Sequence, residues 1–371
     1  DLHSFPTRRS SDLEPGEFAR RAFLSGQLNL AQVEQLGDLI DAETEAQRRL
    51  ALTVTPQLYE DWRGQLIEIA GLVEAAIDFS DEGDVADRAV EMAREKAKGL
   101  RDRIARHLDD GHRGEILRDG FRVALLGAPN AGKSSLLNAL ARREAAIVSQ
   151  EAGTTRDVIE VRLDLGGYPV IVSDTAGIRE AEGQVEREGI RRSLAAAREA
   201  NLTLWLTETG IDAPPDEISR ETTLSVRTKI DLQPFPTPLG ETLADGRMQG
   251  RVLSAKDDRP LTPNLSPRGE GDVAISTKTG EGLEQLIGEI AKRAASAMTA
   301  SADPVVARAR HRGLLEDAFN ALTDFLSGDP DAAELRAEDV RRAAHALGRI
   351  TGRVDVEDVL GEIFSRFCIG K

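Results

Sequence analysis

Between residues 14 and 118 apolar side chains recur at helical spacing: Leu36, Leu39 and Ile40, then Leu66, Ile67, Ile69, Ala70, Val73, Ala76 and Ile77, with charged residues between them. A recurrence every three to four residues predicts amphipathic helices. At Phe121 the texture changes. Phe121-Arg122-Val123-Ala124-Leu125-Leu126 reads as a strand, followed by a glycine-bearing loop and a helix, the opening of an α/β unit. Further strands are expected at 158–165, 169–173, 202–206, 224–227 and 273–276, so the α/β region runs over 119–298. After Asp303-Pro304 the helical pattern returns: Leu314, Leu315, Ala318, Leu322 and Phe325 form one face, and Val354, Val356, Val359, Leu360, Ile363 and Phe364 another.

Two stretches break this rhythm. Residues 1–13 (DLHSFPTRRSSDL) have neither apolar periodicity nor a signal-type hydrophobic run, and are read as a leader foreign to the fold. Residues 233–272 hold six of the 15 prolines and five glycines, which predicts an insertion loop inside the α/β region rather than a packed element.

Composition narrows the chemistry. The 371 residues carry 48 Lys+Arg against 64 Asp+Glu, a formal net charge of −16, which argues against wholesale coating of nucleic acid while leaving room for a local basic face. A lone Cys368 excludes an internal disulfide framework and a Cys-rich zinc site, and suits a reducing, cytoplasmic setting. The five His are scattered, so no local paired-His metal site is expected. No stretch approaches the ~20 apolar residues of a membrane span.

Gly127-Ala128-Pro129-Asn130-Ala131-Gly132-Lys133-Ser134 fits G-x-x-x-x-G-K-[ST] without mismatch, between a predicted strand and a predicted helix. Its glycines let consecutive backbone N–H groups face a β-phosphate; Lys133 bridges the β- and γ-phosphates and the Ser134 hydroxyl, followed by Ser135, ligates Mg²⁺. Two further motifs follow in the order of a GTPase: Gly153-Thr154-Thr155-Arg156-Asp157, then Asp174-Thr175-Ala176-Gly177 at a strand end. Thr155 is the switch threonine expected to complete the Mg²⁺ shell, Asp174 to hold Mg²⁺ through water, and the Gly177 N–H to sense the γ-phosphate. Thr228-Lys229-Ile230-Asp231 reads as the guanine motif, with Asp231 accepting from two base N–H groups and Lys229 packing along the base. Thr228 stands where Asn is usual, which removes an amide that braces base and loop and points to reduced GTP affinity. Ser276-Thr277-Lys278 occupies the place of the second guanine-side loop. Ile178 follows the DTAG run where Ras-type enzymes carry the water-orienting glutamine, so catalysis must come from elsewhere. Glu180, Glu182, Glu186 and Glu188 are all candidates.

Taken together, the chain resembles the bacterial tRNA modification GTPases of the MnmE (TrmE) family over about residues 14–371, apart from the proline-rich insertion. The carriers are Pro15-Gly16-Glu17-Phe18 with Arg21-Ala22-Phe23-Leu24, the loop GAPNAGKSS, the run AGTTRD over 152–157, the run DTAGIRE from Asp174, and the terminal Cys368-Ile369-Gly370-Lys371. The resemblance implies a Ras-like P-loop GTPase domain with a mixed, mostly parallel sheet, inserted in a helical domain whose halves are 14–118 and 299–371. It implies a potassium-activated GTPase that works by pairing of G domains across the nucleotide. Asn130, Ser149, Glu151 (through its carbonyl) and Thr154 would surround K⁺, which substitutes for an arginine finger. Alignment of the segment after DTAG selects Glu186 as the water-orienting acid, with Arg179 and Asp157 as supporting catalytic residues.

The same resemblance implies an FAD-dependent partner, MnmG (GidA), and installation of an aminomethyl-type group at C5 of the wobble uridine of certain tRNAs, using a tetrahydrofolate one-carbon unit. Lys371 is the implied folate contact, and Cys368 a neighbouring thiol. The family's N-terminal folate-binding and dimerising domain is absent apart from its exit segment at 14–30, and Gln27 stands where a folate-contacting lysine is common. Homodimerisation is therefore expected through the G domains and through that missing domain. Two other readings compete: an Era- or Der-like ribosome-assembly GTPase, which would need an appended RNA-binding domain, and an inactive truncated remnant. The basic clusters Arg308-Ala309-Arg310-His311-Arg312 and Arg341-Arg342 are too sparse to separate binding from solvated faces.

Overall fold

Four long helices realise most of the apolar periodicity. In the computed structural model, which describes residues 13–53, 56–80, 83–143, 146–147, 159–174, 195–208, 214–215, 217–232, 273–299, 305–329, 332–354, 360 and 363–364, the chain runs α1 (Glu17–Leu24), α2 (Leu30–Asp41), α3 (Glu45–Thr53), α4 (Pro56–Asp78), α5 (Gly83–Leu108) and α6 (Arg113–Asp119) before its first strand. Next come β1 (Phe121–Gly127), α7 (Lys133–Ala141), β2 (Ala146–Ile147), β3 (Ile159–Leu165), β4 (Tyr168–Asp174), β5 (Leu202–Thr207), β6 (Thr223–Arg227) and β7 (Val273–Ala274). Helices α8 (Leu283–Met298), α9 (Ala309–Ser327) and α10 (Ala333–Thr351) follow. The Cα packing separates two units: one built on the chain up to Phe121, on 164–170 and from Ala291 onward, the other on Arg122–Leu163 and Ile171–Ile290.

In the helical unit α4 packs on α5, α5 on α9, α9 on α10 and α10 back on α4, closing a four-helix ring. Its core takes Tyr59, Trp62, Leu66, Ile69 and Val73 from α4, and Ala93, Ala97, Leu100 and Ile104 from α5. Opposite them lie Leu315, Ala318, Leu322 and Phe325 from α9 and Val340, Ala343, Leu347 and Ile350 from α10. Alanines on α5 and α10 at helical spacing let the backbones approach closely. A satellite cluster joins Ala19 and Val33 of the first two helices to Phe364, with Leu360 and Ile363 packed against it. Val356 and Val359 lie outside the described residues. Helix α2 begins with a reciprocal capping box: the Asn29 side chain accepts from Gln32 N while the Gln32 side chain accepts from Asn29 N, both at 2.8 Å. Its periodic Leu36, Leu39 and Ile40 are exposed while Leu30, Ala31 and Val33 are buried, so the apolar spacing there marks the outer face.

The second unit carries a seven-stranded sheet in the order β2-β3-β4-β1-β5-β6-β7. Strand β1 pairs parallel with β5, β5 with β6 and β6 with β7, whereas β2 pairs antiparallel with β3. Val123 to Leu126 of β1 are buried in succession, as expected of a central strand covered on both faces. The fold is thus a mixed, mostly parallel α/β sheet plus a helical bundle. Strand β2 is too short to leave a sequence pattern, and β7 is shorter than its predicted span. No described helix is long and apolar enough to cross a membrane.

Candidate nucleotide site

Parallel strands of an open α/β sheet present their loops at the carboxyl ends, and ligands of such sheets bind there. Strand β1 delivers Gly127 to that edge with φ +142°, and a Cβ on it would lie 2.2 Å from the Leu206 carbonyl oxygen of β5, so only glycine fits. Asn130 adopts φ +63° and Gly132 φ +93°, the latter standing immediately before Lys133, the first residue of α7. The loop therefore curls directly into the N-terminus of α7, the end of a helix that suits an anion. Leu136, Leu137 and Leu140 are buried and anchor α7, which fixes the direction of that helix end. Ser135 is exposed on its first turn.

Lys133 Nζ donates to the carbonyls of Gly127 and Ala128, both at 2.8 Å, which holds the ammonium over the loop's own backbone. Ser134 Oγ donates to Asp174 Oδ2 at 2.6 Å. Asp174 is fully buried at the end of β4, the strand beside β1. A neutral hydroxyl and a carboxylate side by side are two hard oxygen donors, the chemistry that Mg²⁺ takes.

The guanine side is assembled from the ends of β6 and β7. Thr228 N donates to Thr207 O at 2.8 Å, continuing the ladder past β6. The Thr228 hydroxyl, buried at 2% exposure, donates to the Ala131 carbonyl of the phosphate loop at 2.8 Å. The brace expected to vanish with the usual asparagine is therefore present in this chain as a hydroxyl. Lys229 has φ +57°, and its ammonium pairs with Glu208, the residue after β5. Asp231 sits in a 3-10 turn (Ile230–Leu232) and accepts from Ser276 Oγ at 2.7 Å. Ser276 is fully buried; its N–H donates to Glu281 O at 2.9 Å and its hydroxyl accepts from Thr279 N at 3.2 Å. This hydroxyl locks the rotamer of Asp231.

Asn130, Ala131, Gly132, Lys133, Ser134, Asp174, Thr228, Lys229, Asp231 and Ser276 thus stand along one sheet edge. Ser149, Glu151, Thr154, Thr155, Asp157, Thr175, Ala176, Gly177, Arg179, Glu186, Cys368 and Lys371 lie outside the described residues. Glu208 was missed in the sequence reading. The signal available for it was its place directly after a central parallel strand.

The basic run at 308–312 is internal to the helical unit. Arg308 pairs with Asp38 at 2.6 Å, Arg310 and His311 with Glu34 at 2.7 and 2.8 Å, and Arg312 with Asp110 at 2.5 Å and Glu115 at 3.0 Å. Burial by itself pushes the Glu34 carboxyl up, but the His311 hydrogen bond and the charges of His311, Arg310 and Arg308 outweigh it and bring it down to about 2. Burial also pushes the His311 imidazole below its ordinary value, against the opposing pull of Glu34.

A family model described as the MnmE helical domain matches residues 30–368. A Rhodopseudomonas palustris protein named tRNA modification GTPase MnmE is 48% identical over 362 residues, covering 96% of this chain and 76% of the relative. A Parvibaculum lavamentivorans protein of the same name is likewise 48% identical, over 367 residues and the same shares of each chain. A Chelativorans protein of that name is 43% identical over all of this chain and 78% of its own. Among solved structures, Era of Aquifex aeolicus bound to GDP and aluminium fluoride matches with 21% identity over 56% of this chain and 68% of that one, at a TM-score of 0.31. With its phosphate loop, guanine-side pair and matching helical unit in one chain, at 43% to 48% identity to these relatives, the chain belongs to the MnmE family of tRNA modification GTPases and is a GTP hydrolase.

Proposed function

We propose that this chain hydrolyses GTP in a potassium-activated reaction, and that the cycle serves C5 modification of the wobble uridine of tRNA, of the 5-carboxymethylaminomethyl type. The observation that carries the nucleotide half is the Ser134–Asp174 pair at one end of a sheet edge whose other end holds Asp231 against Ser276. The tRNA half rests on identity across 96% of the chain with proteins named for that modification.

In this reading the chain's own groups divide the work. Lys133 exchanges its two loop carbonyls for phosphate oxygens, and the α7 N-terminus faces the same charge. Ser134 and Asp174, now bonded to each other, would hold Mg²⁺. Both Asp231 oxygens retain lone pairs to accept from the two N–H groups of guanine, donors that adenine does not offer in that pattern. Glu208 holds Lys229 in place beside the base. Bound Mg²⁺ and K⁺ would supply positive charge to offset the negative charge that develops between the β- and γ-phosphates. Asn130, on the loop at φ +63°, is the described member of the K⁺ set with Ser149, Glu151 and Thr154. Glu186 orients water, with Arg179 and Asp157 in support.

The reading extends to an FAD-dependent partner (MnmG, GidA), a homodimer through paired G domains, a tetrahydrofolate derivative near Lys371 and Cys368, and a cytoplasmic setting. Hydrolysis by the purified chain in KCl against NaCl at equal ionic strength, with Glu186→Ala alongside, tests it. Activity present in K⁺, weak in Na⁺, and reduced at least about 100-fold in the variant while GTP still binds is the expected result. Equal rates in both salts would sink the potassium assignment.

A further inference from the structure

If tRNA is the substrate, its phosphate backbone must meet this acidic chain somewhere, and the two basic clusters visible in the sequence are both neutralised. The run at 308–312 is spent on Glu34, Asp38, Asp110 and Glu115. Arg341 faces Glu338 and Glu74, and Arg342 faces Asp324 and Asp339.

Helix α5 is different. At 3.6 residues per turn, Arg88, Met92, Lys96, Gly99, Arg103 and Arg106 fall within an arc of about 80° that contains no acid. All six are exposed. Arg88, Arg103 and Arg106 make no ion pair among the described residues; Arg103 donates to the neutral Gln65, and Arg106 Nε reaches only the Asp102 carbonyl, at 3.4 Å. Lys96 pairs with one exposed acid, Glu68, at 3.0 Å, whereas Arg341 and Arg342 each face two. Lys96, Gly99, Arg103 and Arg106 line a groove of about 390 Å³ together with Gln65 of α4 and one acid, the exposed Glu95, so cations outnumber carboxylates there three to one. A Cβ at Gly99 would have no heavy atom within 4 Å, so the helix surface dips there between cations. The glycine costs about 1 kcal/mol of helix propensity relative to alanine and has no internal packing reason.

We propose that this stripe of α5 is a docking face for the tRNA sugar–phosphate backbone. The inference rests on the tRNA reading above. From Arg88 to Arg106 the cations extend about 27 Å along the helix, the reach of several consecutive phosphates. Arginine forks bind phosphate oxygens two at a time, and three of them without an ion pair among the described residues, in a chain of net charge −16, suit a polyanion. Direct contact with bases is not required, so the face contributes affinity and register rather than sequence choice.

The test is binding of fluorescein-labelled bulk tRNA to the purified chain, by anisotropy across a KCl series. It compares the wild type, the triple variant Lys96→Gln/Arg103→Gln/Arg106→Gln, and the control Arg341→Gln/Arg342→Gln. The triple variant is expected to bind about tenfold or more weakly, with a salt slope shallower by about 2 to 3, while GTP hydrolysis is unchanged and the control matches wild type. No salt-dependent tRNA binding by the wild type, or equal binding by the triple variant, overturns the assignment. So does a triple variant that keeps tRNA binding and loses only the FAD-dependent partner, because the stripe is then a protein interface. Expression in a strain lacking the wobble-uridine modification separates the two levels. If the wild-type gene restores the base and the triple variant binds tRNA normally, the stripe fails and the functional reading stands; if the wild-type gene restores nothing, the functional reading fails.

Discussion

A single hydroxyl decides whether the guanine loop and the phosphate loop are tied together in this chain. Thr228 is buried and bonds Ala131 O across 97 positions of sequence, so the substituted motif keeps its mechanical link while giving up an amide. Thr228→Val preserves shape and removes the donor; leaving a buried carbonyl without it costs about 1–3 kcal/mol, and GTP Kd is expected to rise about fivefold or more. Thr228→Ser keeps the bond and is expected to stay near wild type. Calorimetric titration with a non-hydrolysable GTP analogue distinguishes them, and equal affinities for all three would mean that the link is idle. The motif residues themselves were legible in sequence because backbone geometry around phosphate demands glycine at fixed spacing. Partners such as Glu208 for Lys229 were not, because they come together only when neighbouring strands align.

At the scale of elements, the helices of the bundle were readable from period alone, since Leu66, Ile69 and Val73 face one way on α4 and Leu315, Ala318 and Leu322 on α9. Short connections were less so. Helix α6 carries Gly114, where a Cβ would lie 2.4 Å from the Val306 carbonyl oxygen, a backbone contact that cannot swing aside. Gly114→Ala therefore forces α6 away from the chain before α9. The expected cost is about 1–3 kcal/mol, seen as a Tm lowered by about 2–4 °C for each kcal/mol in calorimetry. An unchanged Tm would show that the 305–306 backbone yields freely. Period also misled at one place: Leu36, Leu39 and Ile40 repeat correctly on α2 yet face outward, because α2 buries its other side against α1 and the residues near 364.

At the scale of the whole molecule, the helices of the first unit come from two long segments, one ending at Phe121 and one beginning at Ala291, and a buried ionic network joins them. Glu34 and Asp38 from the first segment meet Arg308, Arg310 and His311 from the second, while Asp110 receives both Arg312 and the Val306 N–H. Burial, with the Asp110 and Glu34 charges adding to it, pushes the nearby Tyr59 hydroxyl up, so it stays neutral. Glu34 ionises at about 2 when folded against an ordinary 4.5, so its stabilisation is complete above about pH 4.5 and is lost as pH falls toward 2. Denaturant melts from pH 7 to 3 are expected to show about 2 kcal/mol of acid-dependent loss that Glu34→Gln largely removes. A variant with the wild-type pH slope would place the acid sensitivity elsewhere.

What the sequence by itself determined was whatever depends on local geometry: helical period, the strand–loop–helix of the phosphate site, and the residue types that hard cations and guanine require. Tertiary structure alone decided which charges are spent and which are free. Arginines of the 308–312 run and of α5 look alike along the chain, yet the first meet carboxylates brought from α2, α6 and the end of α5, and most of the second meet none. Pairing of charges across long sequence separations leaves no local pattern, because the energy that selects it exists only once both segments have left water together.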